Sequence, residues 1–132
     1  MARFYRLDEA NARLLELEPL LEKLRADRDA VAELQAKIRD ARATNGSAEH
    51  AVEVRQMESE VRQFVARMKA AVEQVDEWGV ALRDIGTGLI DFPALANGRP
   101  IWLCWRLGED DINWWHEADR GFDERQRLTE LS

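Results

Sequence analysis

Cysteine, proline and histidine are scarce in this chain of 132 residues, which carries one Cys, three Pro and two His. The lone Cys104 has no second cysteine for an internal disulfide, which suits a reducing, cytoplasmic compartment. Long apolar runs are missing as well. No stretch reaches the ~18 consecutive apolar residues of a membrane span, and "MARFYRLDEAN" has no apolar run behind its arginines, as a secretory signal requires. Nor is there a basic surplus: 19 Lys and Arg stand against 26 Asp and Glu, a net charge of −7. Displacing counterions from nucleic acid, or binding an anionic lipid surface, needs the opposite sign, so neither partner is expected. Glycines are few, and those of "GTGLIDFPA" lack the lysine and the strand-to-helix step of a phosphate-cradling loop. Gly86 and Gly88 read instead as turn residues between two short strands.

What is present divides at Gly79. Before it, Leu7, Ala10, Leu14, Leu17, Leu21 and Leu24 recur at helical spacing, and Val31, Leu34, Ile38 and Ala41 continue after a slip near Asp27 and Arg28. This predicts one long amphipathic helix, kinked or restarted at Pro19. "TNGS" at 44–47 then breaks it, with Asn45-Gly46 suited to a C-cap and Ser47 to an N-cap. Val54, Met57, Val61, Phe64, Met68, Ala71, Val75 and Trp78 alternate by three and four, the seam of a coiled-coil-like antiparallel hairpin. Leu15, Leu20, Val65 and Val72 widen the apolar stripe toward its base, which predicts that this end packs against further structure. The charged tip, with His50, should project as a solvated arm.

After Gly79 come short β-type runs: "VALRDI", "GLIDFPAL", "RPIWLCWR" and "DINWWHE". Asn97-Gly98 is suited to a type I′ turn, which sets the pairing as Ala96 with Arg99, Ala94 with Ile101, Phe92 with Leu103, Asp91 with Cys104, Ile90 with Trp105 and Leu89 with Arg106. One face is then wholly apolar (Ile90, Phe92, Ala94, Ile101, Leu103, Trp105) and should cover the base of the hairpin. The other mixes Leu89, Asp91, Pro93, Trp102, Cys104 and Arg106. Continuing the pleat places Ile112, Trp114 and His116 on the core side, with Asn113, Trp115 and Glu117 beside Cys104 and Trp102, while a loop one residue longer would swap the two sets. The expected fold is therefore α+β, a long antiparallel two-helix hairpin with a small antiparallel β-sheet packed on its base. It forms a single domain over 1–132, with the hairpin at 1–78 and the sheet and a C-terminal wrap at 79–132.

The blocks "LDEANARLLELEPLLEKL", "GVALRDIGTGLIDFPA", "GRPIWLCWRLGED", "WWHE" and "GFDERQRL" resemble an uncharacterised prokaryotic family, domain of unknown function 2203. The resemblance implies no assigned activity and carries no catalytic residue. The chain departs from the family pattern at Arg6, where Ser or Thr would cap the first helix, and at Glu124 and Arg127, which put a tight turn over Gly121–Leu128 in question.

The candidate ligand-binding or interface residues are Asp91, Trp102, Cys104, Arg106, Trp115, His116 and Glu117. Asp91 and Arg106, diagonal across adjacent strands, could pair, or Arg106 beside tryptophan could hold a carboxylate or phosphate. One cysteine and one nearby histidine do not make the paired motif of a zinc site, so no metal and no cofactor is expected. With His116 on the face opposite Cys104, a Cys-His nucleophilic pair is also excluded. The arginines at 120, 125 and 127 could neutralise Glu109, Asp110 and Asp111. Apolar residues on both faces of the sheet suggest a homodimer and a non-enzymatic interaction or assembly module. The alternative is a small-molecule-binding protein or enzyme, for an anionic ligand, on the tryptophan-rich face.

Overall fold

The computed structural model describes residues 3–44 and 48–130. The order is α1 (Leu7–Ala43), α2 (Ala48–Glu77), β1 (Ala81–Asp84), β2 (Leu89–Ala96), β3 (Arg99–Arg106), β4 (Trp114–Glu117) and β5 (Gln126–Arg127), with single 3-10 turns at Phe122–Glu124 and Leu128–Glu130. The helices pack on each other as an antiparallel pair, and the five strands form one antiparallel sheet in sequential order. The helix break expected at Asn45-Gly46-Ser47 lies outside the described residues. Among those described, no helix is long and apolar enough to cross a membrane.

α1 is one helix that runs through Pro19, so of the kink and the restart expected there the restart does not occur. Pro19 is exposed, and the lost backbone donor is tolerated because tertiary packing, more than propensity, holds a helix of this length. At its start Arg6 has no side-chain oxygen to offer, and Glu9 takes over: its Oε1 accepts the Arg6 backbone N–H at 2.9 Å. That is one half of a capping box. The slip near Asp27 has a physical role. Asp27 is buried on the seam between the helices, where its Oδ1 accepts from Arg67 of α2 at 3.3 Å.

The core lies between the base of the hairpin and the apolar sheet face. Ala10, Leu14, Leu17, Leu21 and Val75 meet Ile90, Phe92, Ala94, Ile101, Leu103 and Trp105, with Leu20 and Trp78 packed against them. The widened stripe does this in part only. Leu15 is 82% exposed, and Val65 and Val72 also face solvent, because the sheet approaches from the side of Leu14, Leu17 and Leu21. The N-terminal segment stitches the layers together: the Tyr5 backbone N–H donates to Pro93 O at 2.7 Å, its hydroxyl donates to Trp78 O, and its ring stands edge-on to Phe92 at 5.0 Å.

The β2–β3 hairpin has all six expected pairs. Asn97 (φ 51°) and Gly98 (φ 79°) both take positive φ, as the type I′ turn demands. In the β1–β2 turn, Gly88 also has positive φ (66°), and a Cβ there would lie 2.4 Å from Leu107 Cγ. The glycine is needed for space as much as for conformation.

The expected register of β4 is corrected by one residue. Trp115 stands opposite Leu103 and Glu117 opposite Ile101, while His116 is opposite Trp102 and Trp114 opposite Cys104. Trp115 therefore joins the core, and His116 moves to the Cys104 face. The connection 107–113 resets the pleat because it is not extended. Gly108 has φ 99°, Trp105 Nε1 donates to Asp110 O at 2.7 Å, and the Ile112 backbone N–H donates to Asn11 Oδ1 of α1 at 2.9 Å. Ile112 is still drawn into the core, but the strand that follows starts in the opposite phase.

Candidate functional site

The mixed face of the sheet is the outer one, and the chain's own C-terminal segment covers much of it. Phe122, in the 3-10 turn that forms despite Glu124, has the guanidiniums of Arg106 and Arg125 over its ring at 5.1 and 4.3 Å. Arg125 also lies over Trp114 at 4.4 Å and makes a two-pronged pair with Glu109, at 3.2 and 2.9 Å. The expected neutralisation of the acidic turn thus falls to Arg125. Beneath this cover Asp91, Cys104 and His116 are each 3% exposed or less.

These three come from adjacent strands. Asp91 and Cys104 are directly paired across β2 and β3, and His116 on β4 is diagonal to Cys104. One ligand atom from each lies within 4.8 Å of the others. His116 Nδ1 is 2.9 Å from the Glu117 backbone carbonyl, and Nε2 is 3.0 Å from Asp91 Oδ2. Both partners accept, so both ring nitrogens donate, and the ring is an imidazolium clamped between them. Burial works against that charge, but the Asp91 hydrogen bond, the Glu117 carbonyl and the Asp91 charge together raise the His116 pKa, with Arg83 opposing.

Asp91 is held from the other side by Arg83 of β1, whose Nε donates to the same Oδ2 at 3.0 Å. The expected pair with Arg106 does not form. Arg106 points to Phe122 and is exposed, while Arg83 lies over the Trp102 ring at 4.8 Å. Ala81 pairs with Asp91, so alternation along β1 puts Arg83 on this face as well. Asp91 Oδ1 is buried without a hydrogen-bond partner.

Cys104 is a buried free thiol. Burial pushes its pKa up to about 12, and the neighbouring Asp91 charge adds to this against the pull of Arg125. The geometric ground for excluding a Cys-His pair is removed by the new register, yet the thiol is protonated near neutrality and Nε2 is bonded to Asp91. That is not the state of an activated nucleophile.

Of the remaining candidates, Trp102 is half-buried on the site face under Arg83. Trp115 and Glu117 are not in the site. Trp115 is buried in the core, with Arg99 5.9 Å from its ring. Glu117 makes a two-pronged pair with Arg99, both contacts at 3.1 Å. The expected wrap of the C-terminal segment over the sheet through Phe122 is present on this face, whereas sequence reasoning missed Arg83 and the part of Arg125 in the cover; the β1–β2 pairing, which sets Ala81 against Asp91, was the available signal for the first.

A cavity of about 440 Å³ opens beside the cluster, lined by Arg83, Leu89, Asp91 and residues 118–122. This lies within the range of small-molecule pockets.

These features define an α+β domain in which a two-helix hairpin carries a five-stranded antiparallel sheet, with a buried polar cluster on the sheet's outer face. The chain belongs to the uncharacterized conserved protein family DUF2203, whose model matches residues 3–128. No curated protein and no solved structure matches it.

Proposed function

We propose that the domain binds a small anionic molecule at the outer sheet face, with Arg83 as the principal recognition residue. The observation that carries this reading is the placement of Arg83. It lines the cavity, stacks on Trp102, and uses only Nε on Asp91, so its terminal amino groups have no carboxylate partner among the described residues. A planar guanidinium oriented in this way suits a carboxylate or phosphate. A cytoplasmic setting fits a site that contains an unoxidised thiol.

Titration with inorganic phosphate and simple carboxylates is expected to change tryptophan emission through Trp102. Arg83→Ala should abolish the response while lowering stability by about 1 kcal/mol or less, since this arginine is half exposed and solvent screens its pair. Arg106→Ala, on Phe122, should leave the response intact. A response that survives Arg83→Ala defeats the assignment.

Self-association is a second reading. Phe4, Leu7 and Leu95 are exposed and line one groove of about 350 Å³ beside the β2–β3 hairpin, and the occupant this reading commits to is a second copy of the chain. A homodimeric mass in sedimentation at micromolar concentration is the expected result. A strictly monomeric mass would remove it.

A further inference from the structure

We propose that Asp91, Cys104 and His116 form a binding site for a zinc-class divalent transition metal, with an open coordination position toward the cavity lined by Arg83. The inference rests on reading this face as a ligand site and deepens it, because the metal would be the point at which the anion attaches.

The donor set comes first. Thiolate, imidazole and carboxylate are the three ligand types that zinc takes, and three protein ligands with one open position is the arrangement of catalytic zinc sites. The spacing is compatible: donors on a tetrahedral ion at about 2.0–2.3 Å stand roughly 3.5 Å apart, and these three already lie within 4.8 Å of one another. Small side-chain rotations close the difference.

The imidazole is also oriented for a metal. His116 Nδ1 is tied to the Glu117 carbonyl, which leaves Nε2 as the nitrogen directed into the cluster. This outer bond is the one that metal-binding histidines make almost without exception. Arg83 plays the same part for Asp91, holding Oδ2 from outside.

Asp91 Oδ1 is buried with no partner, and an orphaned carboxylate oxygen is costly unless something fills its lone pairs. A cation held by Sγ, Nε2 and the Asp91 carboxylate would supply that partner. Binding releases the proton that His116 Nε2 shares with Asp91 and the thiol proton of Cys104, both to solvent. Carboxylate and thiolate then balance the divalent charge, and the adjacent Arg83 makes the open position attractive to an anion.

The test uses the whole protein, stripped with chelator and then titrated with Co²⁺ and with Zn²⁺. One ion per chain is expected, with a sulfur-to-cobalt charge-transfer band and the visible bands of tetrahedral Co²⁺. Cys104→Ser should remove the charge-transfer band, and His116→Gln should weaken Zn²⁺ binding by at least about tenfold to a hundredfold, the loss seen even for outer-shell changes. An octahedral Co²⁺ spectrum without the sulfur band in the wild-type protein, or Zn²⁺ affinity equal in wild type and Cys104→Ser, overturns the proposal. The wild-type spectrum decides the matter if a variant fails to fold. Phosphate titration of the stripped and the Zn²⁺-loaded protein separates the two readings. A phosphate response together with no uptake of Zn²⁺ or Co²⁺ defeats the metal site alone, whereas stoichiometric metal with no phosphate response supports the metal site and defeats anion binding.

Discussion

Trp105→Ala is expected to lower folding stability by roughly 4 kcal/mol, the cost of emptying a large aromatic site in a packed core. Trp105 is fully buried at the centre of the sheet's inner face. Its loss acts twice: the cavity opens between β3 and the helices, and the Asp110 carbonyl loses the indole donor that folds the 107–113 connection. Against a total stability of about 5–15 kcal/mol for a domain, this is a large share, and at the low end of that range it leaves a substantial unfolded fraction. Urea unfolding followed by far-UV circular dichroism measures it. Trp105→Phe should recover most of the packing but not the hydrogen bond, and a shift of under ~1 kcal/mol for the alanine variant, far below the usual core cost, would contradict the core as described.

Asp91→Ala is expected to cost roughly 3 kcal/mol, because removing one partner of a buried ion pair strands the other. The stranded group is His116, which is 1% exposed and loses the acceptor for Nε2. Arg83 contributes less to the loss, since it reaches solvent. Asp91→Asn keeps an oxygen that both donors can use, so it should fall between wild type and alanine in the same urea titration. If the alanine variant unfolds at the wild-type midpoint, the carboxylate does not hold the cluster together, and the imidazolium assignment fails with it.

Legibility in the sequence followed the range of the interactions. The β2–β3 hairpin was readable pair by pair because a two-residue turn of Asn97-Gly98 leaves one low-strain pairing, and period two does the rest. The helical hairpin was readable because its seam repeats over many turns. The β4 phase was not, since seven residues of connection separate it from β3 and their path depends on contacts with Asn11 and Trp105. That single shift exchanged Trp115 for His116 on the outer face, and it turned a scattered set of candidates into one cluster. Arg83 was hidden for a related reason: no two-residue turn fixes the pairing of β1 with β2, so nothing local sets Ala81 against Asp91 and Arg83 beside it.

The sequence by itself determined the two layers, the β2–β3 turn, the inner apolar face and the membership of Asp91, Trp102 and Cys104 on the outer one. These follow from local periodicity and turn chemistry. Tertiary structure alone decided that His116 completes that face, that Arg83 and not Arg106 holds Asp91, and that the expected C-terminal wrap closes over this cluster. Each of those outcomes depends on how distant segments pack, because a strand's phase after an irregular loop is set by what the loop touches.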